Sequence, residues 1–328
     1  MSKRYNFPMP FGWYQVAYSI DLEVRQSKPL HYFGQEMVMF RGEDGRVRVL
    51  DAHCPHLGAH LGYGVHDAEG GGRVEGNNIV CPFHSWKFNG DGQVEEIPYA
   101  KNIPPKVKDK QCIRSWHVEE KNQVIWVWYH PDKTVAPKWN VATIPEADDP
   151  SLGWSKVDRS KVKTWRMKTI PQEIAENSVD FAHFIYVHKV KSDPSAAGDY
   201  DGHHCQRVVK ANMETPRGVI EGSINSENWG PGQSQIRFTG ITETLLFGNL
   251  VPVDEELVEI NFTFFQPLVN GEAPKGGVQD AIIKDLIRQL DEDKIIWEKK
   301  VYREAPALCD GDGPIARFRR YYSQFYAE

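Results

Sequence analysis

Two short stretches, Cys54-Pro55-His56-Leu57-Gly58-Ala59 and Cys81-Pro82-Phe83-His84-Ser85-Trp86, decide how this chain is read. Each sets one cysteine and one histidine on a short loop, as Cys-x-His and Cys-x-x-His. Pro and Gly in such loops fix backbone shapes that expose ligand atoms. A structural zinc site of the Cys₂His₂ kind usually takes a cysteine pair followed by a histidine pair. Here each loop supplies one of each, which suits two irons, the cysteines holding one and the histidines the other. Zinc remains the alternative on ligand types alone.

Around the loops the first third of the chain reads as short strands joined by tight turns. Glu36–Phe40 and Arg46–Leu50 flank Asp44-Gly45, a strong hairpin signal. Asn78–Val80 and the apolar run Val124–Tyr129 continue an all-β pattern. The Pro-containing polar stretch His130–Pro137 breaks it, which divides the chain into domains 1–135 and 136–328. Beyond that point helical signals at about 172–187 and 278–303 bracket strand candidates Ser234–Phe247 and Leu257–Gln266. That order predicts an α+β domain built on a large antiparallel sheet.

Bulk properties narrow the classes. A net charge of −6 over 328 residues argues against a nucleic-acid partner. No apolar run is long enough to span a bilayer, and the first residues show no apolar segment of signal-peptide length, so a cytoplasmic protein is expected. Five cysteines, at 54, 81, 112, 205 and 309, make a disulfide framework a poor reading and leave metal binding or burial.

A second constellation lies in Glu173–His188. At about 100° per residue, Glu176, Asp180 and His183 share one side of a helix otherwise rich in aromatic and branched residues. Such a polar stripe is costly unless paired or bound to a metal. His188 would point roughly 140° away from His183 on an unbroken helix. A helix end or π-bulge between them would bring the imidazoles together. Two core histidines are the alternative, and the upstream loops favour the metal. Asn177 joins Asp180 as a catalytic candidate on this segment.

A two-histidine iron site needs one carboxylate. In the helix Asp280–Arg303 the apolar stripe runs through Ile282, Ile283, Leu286, Leu290, Trp297 and Val301, and Asp293 falls near its middle. Asp285, Asp291 and Glu292 fall outside it. A buried ion pair or a cap is the alternative role for Asp293.

The two loops resemble those of the Rieske oxygenase family, with Cys54 and His56 as the first ligand pair and Cys81 and His84 as the second. The 24 residues between His56 and Cys81 exceed the family's usual spacing, through the Gly-rich stretch Val65–Gly72. His53, His60 and His66 read as exposed loop residues. Asp180-x-x-His183-x₄-His188 resembles the family's mononuclear iron motif. There the histidines bind Fe(II) and the aspartate bridges between iron centres. Asp293-Lys294-Ile295-Ile296-Trp297 resembles its carboxylate-ligand segment.

The resemblance implies an N-terminal all-β Rieske [2Fe–2S] domain and a C-terminal helix-grip catalytic domain with mononuclear Fe(II). It further implies a cyclic homotrimer, in which electrons from the cluster of one subunit serve the iron of its neighbour. Glu69-Gly70-Gly71-Gly72 lacks the spacing of a dinucleotide fingerprint. Electrons for O₂ activation then come from a separate NAD(P)H-dependent reductase, directly or through a ferredoxin.

Among family branches the chain looks most like 3-ketosteroid 9α-hydroxylase oxygenases, cholesterol 7-desaturases and sterol C-4 demethylases. Phe238, Phe247, Phe262, Phe264 and Phe265 would line a sterol-sized pocket, or simply pack the sheet. The competing readings are a demethylase of a small aromatic or quaternary ammonium compound and a non-enzymatic Rieske electron carrier.

Overall fold

The computed structural model describes residues 4–64, 72–189, 198–215, 218–240, 242–274 and 276–327, without the side chains of 211–215. His66 and all of the 65–72 insertion except Gly72 therefore lie outside the described residues. The chain divides into two compact units, Val16–Trp128 with Ala136–Lys138, and Met1–Gln15 with Tyr129–Val135 and Trp139–Glu328.

The first unit is all β. After β1 (Gly12–Tyr18), strands β2 (Ser27–Tyr32), β3 (Gln35–Arg41) and β4 (Val47–Asp51) form an antiparallel sheet in that order. The β3–β4 turn carries Gly45 in the left-handed region at φ 77°, which is why a glycine follows Asp44. Strands β5 (Val74–Glu75), β6 (Asn78–Val80), β7 (Lys87–Phe88) and β8 (Val94–Glu96) form a second sheet. A hairpin of β9 (Val118–Lys121) and β10 (Val124–Tyr129) completes the unit. Every residue of β10 is buried, so the apolar run Val124–Tyr129 is a core strand. Val38, Phe40, Leu50, Ile79 and Phe88 pack into one core with Cys54, Cys81 and Trp86. The two ligand loops thus grow from the hydrophobic core.

The second unit is built on a seven-stranded antiparallel sheet. It contains α1 (Pro145–Asp148), β11 (Val162–Met167), α2 (Pro171–Glu176), α3 (Phe181–Tyr186), β12 (Asp199–Asp201), β13 (His204–Thr215) and β14 (Gly218–Trp229). β15 (Gln233–Thr239), β16 (Thr244–Asp254), β17 (Leu257–Phe265), α4 (Gly277–Trp297) and α5 (Ile315–Tyr322) follow. The spatial strand order is β11-β17-β16-β15-β14-β13-β12. The N-terminal stretch is tied to this unit: Phe11 N–H donates to the Phe325 carbonyl at 2.7 Å, and Asn249 donates to Gln15 Oε1 at 2.9 Å.

Cross-strand register sorts the sheet's side chains. Trp165 on β11 donates Nε1–H to Asp291 of α4 at 2.7 Å, so its face is the one that meets that helix. Alternation places Ile260, Phe262 and Phe264, Leu246, Ile236 and Phe238, and Ile224 on that same side. Phe247 and Phe265 lie on the other, with ring centroids 4.7 Å apart. The five phenylalanines read together in the sequence therefore serve two different faces.

Three sequence-predicted elements end or break differently. The expected helix 172–187 is α2, a 3₁₀ turn at Asn177–Val179 and α3, because Asp180 adopts an extended backbone (φ −85°, ψ 92°) and caps α3. The 100° wheel does not carry across that break, and Glu176 pairs with Arg319 instead of joining a metal stripe. The helix 278–303 stops at Trp297, where the Arg4 guanidinium takes the carbonyls of Trp297, Glu298 and Lys300. Val301 lies beyond it and is exposed. The strand candidate Ser234–Phe247 is two strands, turned at Gly240 with φ 125°.

Candidate metal centres

The two Cys–His loops close in the same way. Cys54 N–H donates to Ala59 O at 2.9 Å and Cys81 N–H to Trp86 O at 2.8 Å. Gly58 N–H returns to Cys54 O, and Ser85 N–H to Cys81 O, each at 2.9 Å. The fifth residue of each loop is left-handed, Gly58 at φ 79° and Ser85 at φ 60°. Within each turn, backbone N–H groups of the residues two and three places on point at the sulfur: His56 and Leu57 at Cys54, Phe83 and His84 at Cys81. Such donors favour a thiolate. A hydrogen bond between the sulfurs pulls the Cys81 thiol below its ordinary value and pushes the Cys54 thiol up.

Both imidazoles project from these turns with ring centroids 4.8 Å apart. His56 Nδ1 and His84 Nδ1 are buried and have no hydrogen-bond partner. Two orphaned ring nitrogens opposite two buried sulfurs are what a two-iron cluster with Cys₂His₂ ligation would satisfy. Trp86 backs the pair, stacking on His56 at 4.7 Å and donating Nε1–H to the Tyr99 hydroxyl at 2.8 Å. Of the neighbouring histidines, His53 is exposed as expected, but His60 is half-buried, accepting Gly62 N–H on Nδ1 at 3.0 Å.

The second site gathers His183, His188 and Asp293, whose donor atoms all lie within 4.8 Å of one another. The helix ends between the two histidines. Val187 N–H donates to His183 O at 2.7 Å, and His188 N–H reaches the same carbonyl, five residues back, at 3.4 Å. That π-like closure swings His188 round to His183. Asp293 sits among Ile283, Leu290 and Trp297 on the buried stripe of α4.

Hydrogen bonds aim the rings. His183 Nδ1–H donates to the Asp180 backbone carbonyl, and His188 Nδ1–H donates to Glu292 Oε2 at 3.0 Å. Both rings therefore turn Nε2 inward, the neutral tautomer a metal requires. His188 Nε2 lies 3.2 Å from Asp293 Oδ1. The Asn177 amide spans the set, 2.9 Å from His183 Nε2 and 3.0 Å from Asp293 Oδ2. Burial raises the Asp293 carboxyl to about 6 and lowers His183. A divalent cation would relieve both. Two imidazoles and one carboxylate on one side of a cation leave further positions open, the donor set of non-haem Fe(II) oxygenases.

Asp180 meets His183 at two points within one chain. Its carboxylate accepts the His183 backbone N–H at 3.4 Å, and its carbonyl, not its side chain, holds the imidazole. Glu292, which the helical wheel set aside, is the partner of His188. Its adjacency to Asp293 was the available signal, since ligand histidines commonly give their second nitrogen to a carboxylate.

The chain is similar to known proteins along both of its parts. Residues 12–115 match the Rieske [2Fe-2S] domain, and residues 127–326 match the 3-ketosteroid 9α-hydroxylase C-terminal domain. A probable 3-ketosteroid-9-alpha-monooxygenase oxygenase component of Rhodococcus rhodochrous is 28% identical, covering 97% of this chain and 80% of its own. Cholesterol 7-desaturase of Caenorhabditis elegans is 31% identical, covering 97% and 77%. Among solved structures, dicamba monooxygenase bound to dicamba superposes with a TM-score of 0.71 at 18% identity, over 96% of both chains. The Pseudomonas putida CBB5 NdmA mutant with theobromine gives a TM-score of 0.69 at 20% identity, over 95% of this chain and 89% of that one. Two metal-type constellations on these two matched domains lead to one assignment: the chain belongs to the Rieske non-haem iron oxygenases, in the family defined by the 3-ketosteroid 9α-hydroxylase C-terminal domain.

Proposed function

We propose that this chain is the oxygenase component of a monooxygenase that oxidises a C–H bond of a steroid or sterol-like substrate with O₂. In this reading Cys54, His56, Cys81 and His84 hold the [2Fe–2S] cluster, and His183, His188 and Asp293 hold the mononuclear iron. Iron bound there would supply O₂ activation, and the cluster would store and release single electrons. Asn177 fills the gap between His183 and Asp293 and would orient them. We place the boundary between the Rieske and catalytic domains near residue 135, although the compact unit of the catalytic sheet also takes in residues 1–15 and 129–135.

The observation that carries the reading is the convergence of His183, His188 and Asp293 within 4.8 Å in the domain matched by the steroid-hydroxylase family. The sheet supports the substrate class. On its helix-side face Ile224, Ile236 and Phe238 are apolar yet only half-buried, as an apolar ligand pocket would leave them. Electrons would come from an NAD(P)H-dependent reductase, directly or through a ferredoxin. Leu57, Phe83 and Tyr99 stand exposed around the cluster loops, at 66%, 61% and 61%, and a neighbouring subunit of a homotrimer would cover them. Asp180 would then bridge a mononuclear-iron histidine to a cluster histidine of that neighbour. No described helix is long and apolar enough to cross a membrane, which fits a cytoplasmic enzyme.

Two measurements test this. Iron and acid-labile sulfide should be present at about three and two per chain; an electron carrier would show about two irons, and a zinc protein no sulfide. A steroid panel turned over with a surrogate reductase should yield oxygenated products by mass spectrometry. Turnover confined to small aromatic or quaternary ammonium compounds would refute the substrate class.

A further inference from the structure

Arg207 stands on β13 opposite Ser226, on the helix-side face of the sheet. Its Cζ lies 5.7 Å from the centroid of Phe181, the first residue of α3 and two before His183. The guanidinium Nη1 is buried and bonds to nothing. Among the described residues no carboxylate pairs with it; Cys205 and Tyr200, both uncharged near neutrality, act on it electrostatically, and it acts in turn on the His183 imidazole. Tyr200 on β12 faces Cys205 across the strand pair, and its hydroxyl is likewise buried without a partner. Arg317 of α5, itself exposed, covers the Tyr200 ring at 4.9 Å.

Arg207 is half-buried as a residue, but its Nη1 is shut away from water, and a charged donor so placed with no counter-charge is unfavourable unless something else completes it. Stacking on Phe181 at the outer edge of cation–π range satisfies none of the N–H donors. Two donors without partners on one face of the paired strands β12 and β13, Arg207 of the two lying beside the helix that carries His183, mark a place for an anion. A planar guanidinium with a neighbouring hydroxyl suits the two oxygens of a carboxylate.

We propose that Arg207, with the Tyr200 hydroxyl and Arg317, forms a subsite of the catalytic pocket that takes a carboxylate carried by the substrate. The inference rests on the steroid-type reading for the remainder of that molecule, so the substrate class is a steroid or sterol acid.

Isothermal titration of the oxidised holoenzyme tests it with three probes: a steroid carboxylic acid, its methyl ester and a single-ring aryl carboxylate. The wild-type chain should bind the acid roughly 10- to 100-fold more tightly than the ester. Arg207→Met should bring that ratio close to one, and Arg207→Lys should keep part of it. Equal wild-type affinities, or a ratio unchanged in Arg207→Met, would overturn the subsite. Aryl carboxylate binding that depends on Arg207 while neither steroid binds would keep the subsite and refute the steroid reading. Binding of none of the three would overturn both. Since no ion pair among the described residues is lost, Arg207→Met should melt at or above the wild-type temperature. A lowered melting temperature would make Arg207 a structural residue and overturn the assignment.

Discussion

His188 and Glu292 are joined by a hydrogen bond of 3.0 Å from the ring Nδ1–H to Oε2, while Asp293, the next residue of α4, meets the other ring nitrogen at 3.2 Å. Two consecutive carboxylates thus stand at the two nitrogens of one buried imidazole, Glu292 accepting the Nδ1–H and Asp293 facing the Nε2 lone pair that a shared cation would join to it. The Glu292 carboxyl is held below its ordinary value first by His188 and then by Arg288, one turn earlier on α4, which also pairs with it. The chain Arg288–Glu292–His188 fixes the ring so that Nε2 can only face the site, and makes it a better donor.

Glu292→Ala should weaken divalent-metal binding by about 10- to 100-fold, with Glu292→Gln between it and the wild type. Chelator competition or Co(II) titration of the metal-depleted protein reads this directly. An affinity unchanged in Glu292→Ala would remove the orienting role.

The two metal constellations should separate by single substitution. Asp293→Ala is expected to lower iron from about three to about two per chain while sulfide stays near two. Cys81→Ser should instead lose the sulfide and the visible absorption. Loss of sulfide from Asp293→Ala would show that the two sites are not independent.

Asp180→Asn should retain both metal contents and fold normally, because Asn caps a helix as well as Asp does. Its expected phenotype is loss of most turnover. Normal turnover coupled to reductant consumption would end the case for Asp180 as a bridge between centres.

Glu176 and Arg319 form a bidentate pair, at 2.7 and 2.8 Å, with side chains only 6% and 16% exposed. Arg319→Met strands the carboxylate and should destabilise the protein by about 3–5 kcal/mol, read by denaturant unfolding. Glu176→Gln combined with Arg319→Met should recover part of that loss. A single-variant cost below about 1 kcal/mol, the range of an exposed pair, would contradict the burial argument.

If Leu57 and Phe83 face a neighbouring subunit, Leu57→Asp or Phe83→Asp should dissociate the assembly while leaving the cluster absorption intact. Native mass spectrometry of the variants against the wild type decides this. A wild-type monomer, or an assembly indifferent to both charges, would refute the homotrimer.

The sequence by itself determined the parts whose chemistry is local. A thiolate and an imidazole a few residues apart on one turn can be read without knowing the fold, so Cys54, His56, Cys81 and His84 were legible at once. The wheel set Asp293 on the buried face of α4, where the structure also has it, because that helix is unbroken through Ile283, Leu290 and Trp297. The same wheel misplaced Glu176, since Asp180 leaves the helix to cap the next one and a periodicity holds only while the backbone does. Tertiary structure alone decided which buried charges meet across long separations. Glu176 finds Arg319 143 residues away, His188 finds Glu292 104 residues away, and Arg207 finds no carboxylate among the described residues. Such pairings carry no local signature, because burial sets their energy and burial is known only once the elements have packed.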